Sequence, residues 1–298
     1  MSDTNDVLET DETTVEDDMT TESGETDDIA TNEEADDEEA VEEAVPVKEW
    51  SYDSAKFVEH YNYLTRYMGM APVAFSPTSR FIRSTLGMYD LKNSLHASRI
   101  PVWVANESPL DTAEQAIRLG GHPLILSWTY GDIRDFAYQY ERGYSGIEQD
   151  FARRSFLPSA VDHVADMANV PRDPTPGSAI MADRVTVFKD AFGHLCHPYM
   201  VDFVVFPTSK PTYAEGGAMK PSCMKYMQNR LKVALAMANN GSYTHLLVTP
   251  FGLGAFRVFE GMDEALAASF VEIARKQSTR VTFCCAHPRG YATYQRYA

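Results

Sequence analysis

Between residues 100 and 128 the chain changes texture three times, and this stretch limits the folds open to it more than any other. "IPVWVA" (100–105) is a short run of branched and aromatic residues. "SPLDTAEQAIRLG" (108–120) opens on a capping serine and closes on Gly120 and Gly121, and "HPLILSW" (122–128) is apolar again. A strand, a capped helix and a strand this close together make a βαβ unit. Parallel strands are joined only by a crossover, so the pattern predicts a mainly parallel sheet with helices on its faces. The alternation recurs downstream. "DRVTVFKDAFGHL" (183–195) reads as a hairpin turning at 190–193, and "YMVDFVVFPT" (199–208) as a strand. A long helix (223–241) ending at Asn240-Gly241, the strand "THLLVTP" (244–250), a helix over 262–277 and the strand "RVTFCCA" (280–286) follow. No internal repeat is visible.

The first third of the chain is different. Residues 1–47 hold 20 Asp and Glu and no Lys or Arg, so the formal charge of −17 belongs to this segment, and the remainder is slightly basic. With no aromatic residue and few branched apolar ones, the segment cannot bury enough surface to offset the entropy of ordering, and a disordered acidic arm is expected. Two readings stand for it: a solvated tail, or an arm that docks on a basic protein partner or screens the chain's own basic groove. "YDSAKFVEHYNYLTRYMGM" (52–70) has apolar residues at helical spacing, and a second helix is expected near 80–97. The domain division read from the sequence is therefore an arm over 1–47, a helical lead-in over 48–98 and an α/β domain over 99–298.

No apolar run reaches the ~18 residues that span a bilayer, and the acidic start lacks the marks of a signal peptide, so no membrane partner and an intracellular location, cytoplasmic or nuclear, are expected. Cys196, Cys223, Cys284 and Cys285 show no CxxC spacing, and free thiols are expected. "HLCH" brings His194, Cys196 and His197 together, but successive residues of an extended segment face opposite ways, which suits structural histidines better than a metal. No Ser-His-Asp spacing or Walker pattern is present, and neither a metal nor a cofactor is expected. The basic, aromatic C-terminus "AHPRGYATYQRYA" is read as a packed tail.

"THLLVTPFGLGAFRV" (244–258) carries the strongest functional signal. In open parallel sheets ligands bind at the carboxyl ends of strands, where loops lead into helix N-termini. Gly252 and Gly254 fall in such a loop. They serve either a tight strand-to-helix turn or a cradle of bare amides for a ligand's phosphates. A second signal is the loop after "LILSW", where Tyr130, Phe136, Tyr138, Tyr140 and Tyr144 are interleaved with Arg134 and Arg142. These residues suit either stacking on a base or a lid packed on the sheet.

The order of these pieces resembles that of the bacterial-type poly(ADP-ribose) glycohydrolase family, which has a macrodomain-like fold. "VANESPLDTAEQAI", "LILSW", "GIEQDFARRSFLPSA", "VTVFKDAFGHLCHPYMVDFVVFPTSKP" and "PFGLGAFR" occur in the family's order over roughly residues 80–285. The resemblance implies a three-layer α/β fold with a mainly parallel mixed sheet, and a ligand that is ADP-ribose or an ADP-ribosylated protein. It places ligand contacts at Gly146 and Gln149 and along Pro250, Phe251, Gly252, Leu253, Gly254, Ala255 and Phe256, with Phe256 against a ribose.

The departures are as informative. The family has an Asn at the end of its first core strand, a glycine triplet after it, and Gln-Glu-Glu at a helix start, where the second Glu acts as general acid. Here the strand ends in Ser127-Trp128, the triplet is missing, and the three positions read Ile147, Glu148 and Gln149. A carboxamide cannot donate and recover a proton at a glycosidic oxygen. The resemblance therefore implies a binder that has lost hydrolysis, with Glu148 as the catalytic acid if the chain is an active hydrolase. A third reading is an interaction protein with a filled cleft and a partner-recruiting arm.

Overall fold

A computed structural model describes residues 79–82, 101–130, 146–168, 178–208, 214–215, 218–251 and 261–298. The chain divides into two compact units, Met1–Lys48 and Glu49–Ala298, and every described residue lies in the second. The acidic arm, the 52–70 helix, the aromatic loop after Tyr130 and Gly252–Phe256 lie outside the described residues.

The elements run β1 (Arg80–Ile82), β2 (Val102–Ala105), α1 (Pro109–Arg118), β3 (Pro123–Tyr130), α2 (Ile147–Arg154), α3 (Leu157–Met167), β4 (Ala179–Lys189) and β5 (Leu195–Thr208). Then come the short pair β6 (Ala214–Glu215) and β7 (Ala218–Met219), followed by α4 (Pro221–Asn240), β8 (His245–Val248), α5 (Met262–Ala274), β9 (Arg280–Cys284) and α6 (Pro288–Tyr297). Seven strands form one sheet in the order β1-β4-β5-β3-β8-β9-β2. The run from β5 to β2 is parallel throughout, and β4 is antiparallel to both of its neighbours.

Strand alternation divides the core into two layers. On one face Leu124, Leu126, Trp128, Val204, Phe206, Leu246, Val248 and Phe283 meet α4, α5 and α6 through Met227, Leu231, Leu235, Leu266, Phe270 and Tyr294. On the other, Ile125, Phe203, Val205, Leu247 and Cys284 meet α1, α2 and α3 through Leu110, Phe151, Leu157, Val161 and Val164. This is the three-layer α/β arrangement, with a mainly parallel mixed sheet, that the sequence pattern predicts. The C-terminal tail is α6, held by Tyr294 against Phe283 at 4.7 Å between ring centroids.

Two expectations are corrected. The helix expected near 80–97 does not begin there: Arg80–Ile82 is a strand, paired antiparallel with Ala179–Met181. The open edge of β4 supplies hydrogen-bond partners that outweigh helical periodicity, and Ser79 adds a further bond by accepting from the Asp183 N–H at 3.0 Å. The 100–128 unit is also not a pair of neighbouring strands, because β8 and β9 lie between β2 and β3. β8 and β9 are buried on both faces, whereas Trp103 of β2 is 42% exposed, so β2 takes the edge.

At the amino end of the sheet Asp202 holds three neighbours. Its carboxylate accepts from the Arg184 N–H, freed where β4 shifts register, from the Tyr243 hydroxyl at 2.8 Å, and from His122 Nε2 at 3.2 Å.

The adjacent cysteines show the alternation directly: Cys284 belongs to one core layer and Cys285 to the other. Burial pushes the Cys284 thiol up to about 12 and raises that of Cys285 as well. Cys223 is buried, and Cys196 is half-buried with its thiol also raised by burial. Because the thiolate is the reactive form, a thiol reagent applied to the folded chain is expected to label Cys196 alone, and slowly. All four should react after denaturation, and rapid native labelling of Cys284 or Cys285 would contradict this sheet.

Candidate functional site

The candidate site is assembled from two pieces, the first turn of α2 and the residues that follow β8, the parallel neighbour of β3. α2 begins at Gly146, whose extended backbone caps the helix without a side-chain bond. Glu148 and Gln149 follow as the second and third helical residues, and each is 8% exposed. The Gln149 side chain folds back over the cap: a Cβ on Gly146 would stand 2.6 Å from its Oε1. This is the reach-back position of a capping-box residue. The helix breaks at Ser155, which bonds the Phe151 carbonyl at 2.7 Å and accepts from Leu157 N–H at 3.2 Å; Pro158 then sits in the first turn of α3, where its missing N–H costs nothing.

A charged cluster fixes α2 in place. Ser108, the cap of α1, donates to Asp150 Oδ2 at 2.5 Å, and Arg154 donates to the same oxygen at 3.3 Å. Arg154 also pairs with Asp111 of α1 and donates through Nε to the Lys189 carbonyl at 3.1 Å. Burial opposes the Arg154 charge, but Asp150 and then Asp111 outweigh it, so its pKa lies above the usual guanidinium value. The first turn of α2 is thus tied to the start of α1.

On the other side of β3, Trp128 controls the exit of β8. Its indole Nε1 donates to the Thr249 carbonyl at 3.0 Å, and its ring lies 5.4 Å from that of Phe251 and 6.4 Å from that of Phe270. Thr249 fastens the same corner by donating from Oγ1 to the Leu126 carbonyl at 2.9 Å. Phe251 is 2% exposed, so its side chain belongs to the core and only its backbone is left for a ligand. Pro250 is half-buried and has no N–H to offer.

Pro250 and Phe251 follow β8 at its carboxyl end, and Gly146, Glu148 and Gln149 form the cap and first turn of α2. Gly252, Leu253, Gly254, Ala255 and Phe256 lie outside the described residues. Ser127, by alternation on the α2 face of β3, is fully buried, and its hydroxyl has no hydrogen-bond partner among the described residues. Trp128 and Thr249 are the site-shaping residues that sequence reasoning left without a role, and the place of Trp128 at the strand end was their only signal. Elsewhere His194 pairs with Asp190 at 3.6 Å and His197 Nδ1 lies 3.2 Å from its neighbour's carbonyl. Among the described residues no cluster of His, Cys, Asp or Glu is placed to hold a metal, and no helix is long and apolar enough to cross a membrane.

Comparison with solved structures defines the class of fold. The chain has the macrodomain-like α/β fold of the bacterial poly(ADP-ribose) glycohydrolases. The poly(ADP-ribose) glycohydrolase of Thermomonospora curvata superposes with a TM-score of 0.58 at 17% identity, over 74% of this chain and 86% of that one. The same enzyme bound to the inhibitor ADP-HPD gives 0.57 at 18%, over 74% and 85%. The Deinococcus radiodurans enzyme in complex with ADP-ribose gives 0.55 at 19%, over 74% and 94%. No family model matches the sequence, and no curated protein matches it.

The α2 tether is testable. Arg154→Met leaves Asp111 and Asp150 facing each other without their cation, and the expected loss is about 2–3 kcal/mol in urea unfolding. That is below the range for a fully buried pair because water reaches both carboxylates. A loss under about 0.5 kcal/mol, the ordinary scatter of a surface substitution, would show that the cluster does not hold the helix.

Proposed function

We propose that the chain is a divergent poly(ADP-ribose) glycohydrolase-like domain that binds ADP-ribose or a related nucleotide and has lost hydrolysis. The observation that carries this reading is Gln149, at the helix position where the resembling family has its acid. Its carboxamide lies over the Gly146 cap at the start of α2. An amide there donates and accepts hydrogen bonds but holds no transferable proton for a leaving glycosidic oxygen. Binding is supported by the fold, by the ADP-ribose and inhibitor held by two solved structures of that fold, and by the carboxyl-end position of the β8 exit. The amides of Gly252–Phe256 are assigned to the diphosphate and Phe256 to a ribose. A free nucleotide and an ADP-ribosylated protein share this recognition group.

A second reading is favoured by the burial of Glu148. A carboxyl group that is 8% exposed in the first turn of a helix sits one residue from the catalytic position, in a turn that a small rotation would re-aim. In that case the chain is an ADP-ribosyl glycohydrolase with Glu148 as acid.

Calorimetric titration of the full chain with ADP-ribose, together with an assay for ADP-ribose release from polymer, separates the readings. Binding without release is expected. Gly254→Val should weaken binding at least about tenfold, roughly 1.4 kcal/mol, by blocking backbone approach to the phosphates. Gln149→Glu restores a carboxyl group and should produce measurable release. Release by the unmodified chain that Glu148→Gln abolishes would replace the first reading with the second. Absence of binding by a folded chain would reject both and leave an interaction protein.

A further inference from the structure

At the amino end of the sheet a chain of side-chain contacts runs out to the edge strand. The His122 N–H, just before β3, donates to Thr244 Oγ1 at 2.8 Å, and that oxygen lies 2.7 Å from Nδ1 of His245, the first residue of β8. The other ring nitrogen, Nε2, lies 3.2 Å from Nη1 of Arg280, the residue of β9 that pairs with His245 in register. The Arg280 guanidinium carbon in turn stands 4.7 Å from the centroid of the Trp103 ring on β2. Trp103 is 42% exposed.

This arrangement admits one state of the imidazole. A guanidinium carries donors only, so His245 Nε2 must accept, and the single proton of the neutral ring sits on Nδ1 and is donated to Thr244 Oγ1. A second proton would turn Nε2 into a donor and set two cations against each other. Arg280 does not yield its own proton, so the guanidinium has to move away.

No counter-charge offsets that repulsion. Among the described residues neither His245 nor Arg280 is paired with a carboxylate. β3, β9, α1 and α4 pack on β8. On the β3 side His122 directs Nε2 to Asp202 at 3.2 Å, and Asp202 is also held by Tyr243 and the Arg184 N–H. α1 carries Glu114 and Arg118, which pair with each other at 2.6 Å. The last two turns of α4, residues 233–240, hold no charged residue, and β9 brings Arg280 itself. Burial first, and then Arg280, lower the His245 pKa, so the ring stays neutral to a lower pH than a free histidine. Because the folded value lies below the unfolded one, the stability from this contact is fully present above about pH 6.5 and is lost as the pH falls through the folded value.

We propose that His245 is an acid-sensitive latch at the edge of the sheet: the neutral ring holds Arg280 over Trp103, and the protonated ring expels it and uncovers the indole. The only covalent change is one N–H bond formed at Nε2 with a proton from solvent. The latch lies at the opposite end of β8 from the proposed nucleotide contacts and does not depend on them.

The test is acrylamide quenching of tryptophan emission in the full chain from about pH 7.5 down to about pH 5. A rise in quenching with one midpoint below about pH 6.5 is expected, and Trp103→Phe, which removes the reporting indole, should abolish it. His245→Gln keeps a neutral acceptor and should stay at the low level throughout. His245→Lys is charged over the whole range and should show the acidic level of quenching already at neutral pH. His122→Gln should keep the transition. A flat profile in the unmodified chain overturns the proposal, as does a transition that persists in His245→Gln or disappears in His122→Gln. These outcomes decide it even if His245→Lys fails to fold.

Discussion

The hydrogen bond from the Trp128 indole to the Thr249 carbonyl is the point on which the geometry of the site turns. β3 and β8 are parallel neighbours paired only as far as Leu126 and Val248. Beyond that register the Thr249 N–H and hydroxyl hold the Leu126 carbonyl, and the Trp128 indole reaches furthest to join the two chains again. The same ring is packed against Phe206, Phe251 and Phe270, so the bond is shielded from water and fixed in direction. The chain leaving β8 inherits its starting direction from this contact. On the opposite face, the Ser108–Asp150–Arg154–Asp111 cluster does the same for the first turn of α2 through charge rather than packing.

Most of the sheet was legible because its strands are short apolar runs set between helices with clear stops. β3, β8, β9 and the 201–206 half of β5 are buried on both faces, so their residue types alone give them away. What was not legible depended on partners distant in sequence. Arg80–Ile82 became a strand because β4 offered it an edge, and β2 lay beyond β9 because more fully apolar strands took the centre. The α2 tether joins residues 42 and 43 positions apart, a relation that no local spacing contains.

The site was legible to a different degree. The resemblance placed Gln149 at the acid position, and the structure sets it in the first turn of α2, over the cap. Trp128 appeared in the sequence only as a departure from an expected asparagine neighbourhood. Its role required the positions of Thr249 and Phe251, which chain order does not supply. Arg230 was concealed more thoroughly, since an arginine between Lys225 and Lys232 reads as one more solvated charge until the Phe206 and Tyr226 rings are seen on either side.

Phe251, Trp128, Phe206 and the Arg230 guanidinium form a continuous row beneath the carboxyl ends of β8, β3 and β5. The indole in that row is buried, whereas Trp103, at the far edge of the sheet, is partly exposed and lies under the Arg280 guanidinium. These two of the chain's three indoles, the third being Trp50, therefore occupy optically different surroundings. Emission from the buried one reports on both ends of the row at once, and the molecule carries an intrinsic spectroscopic probe of its own cleft that needs no added label.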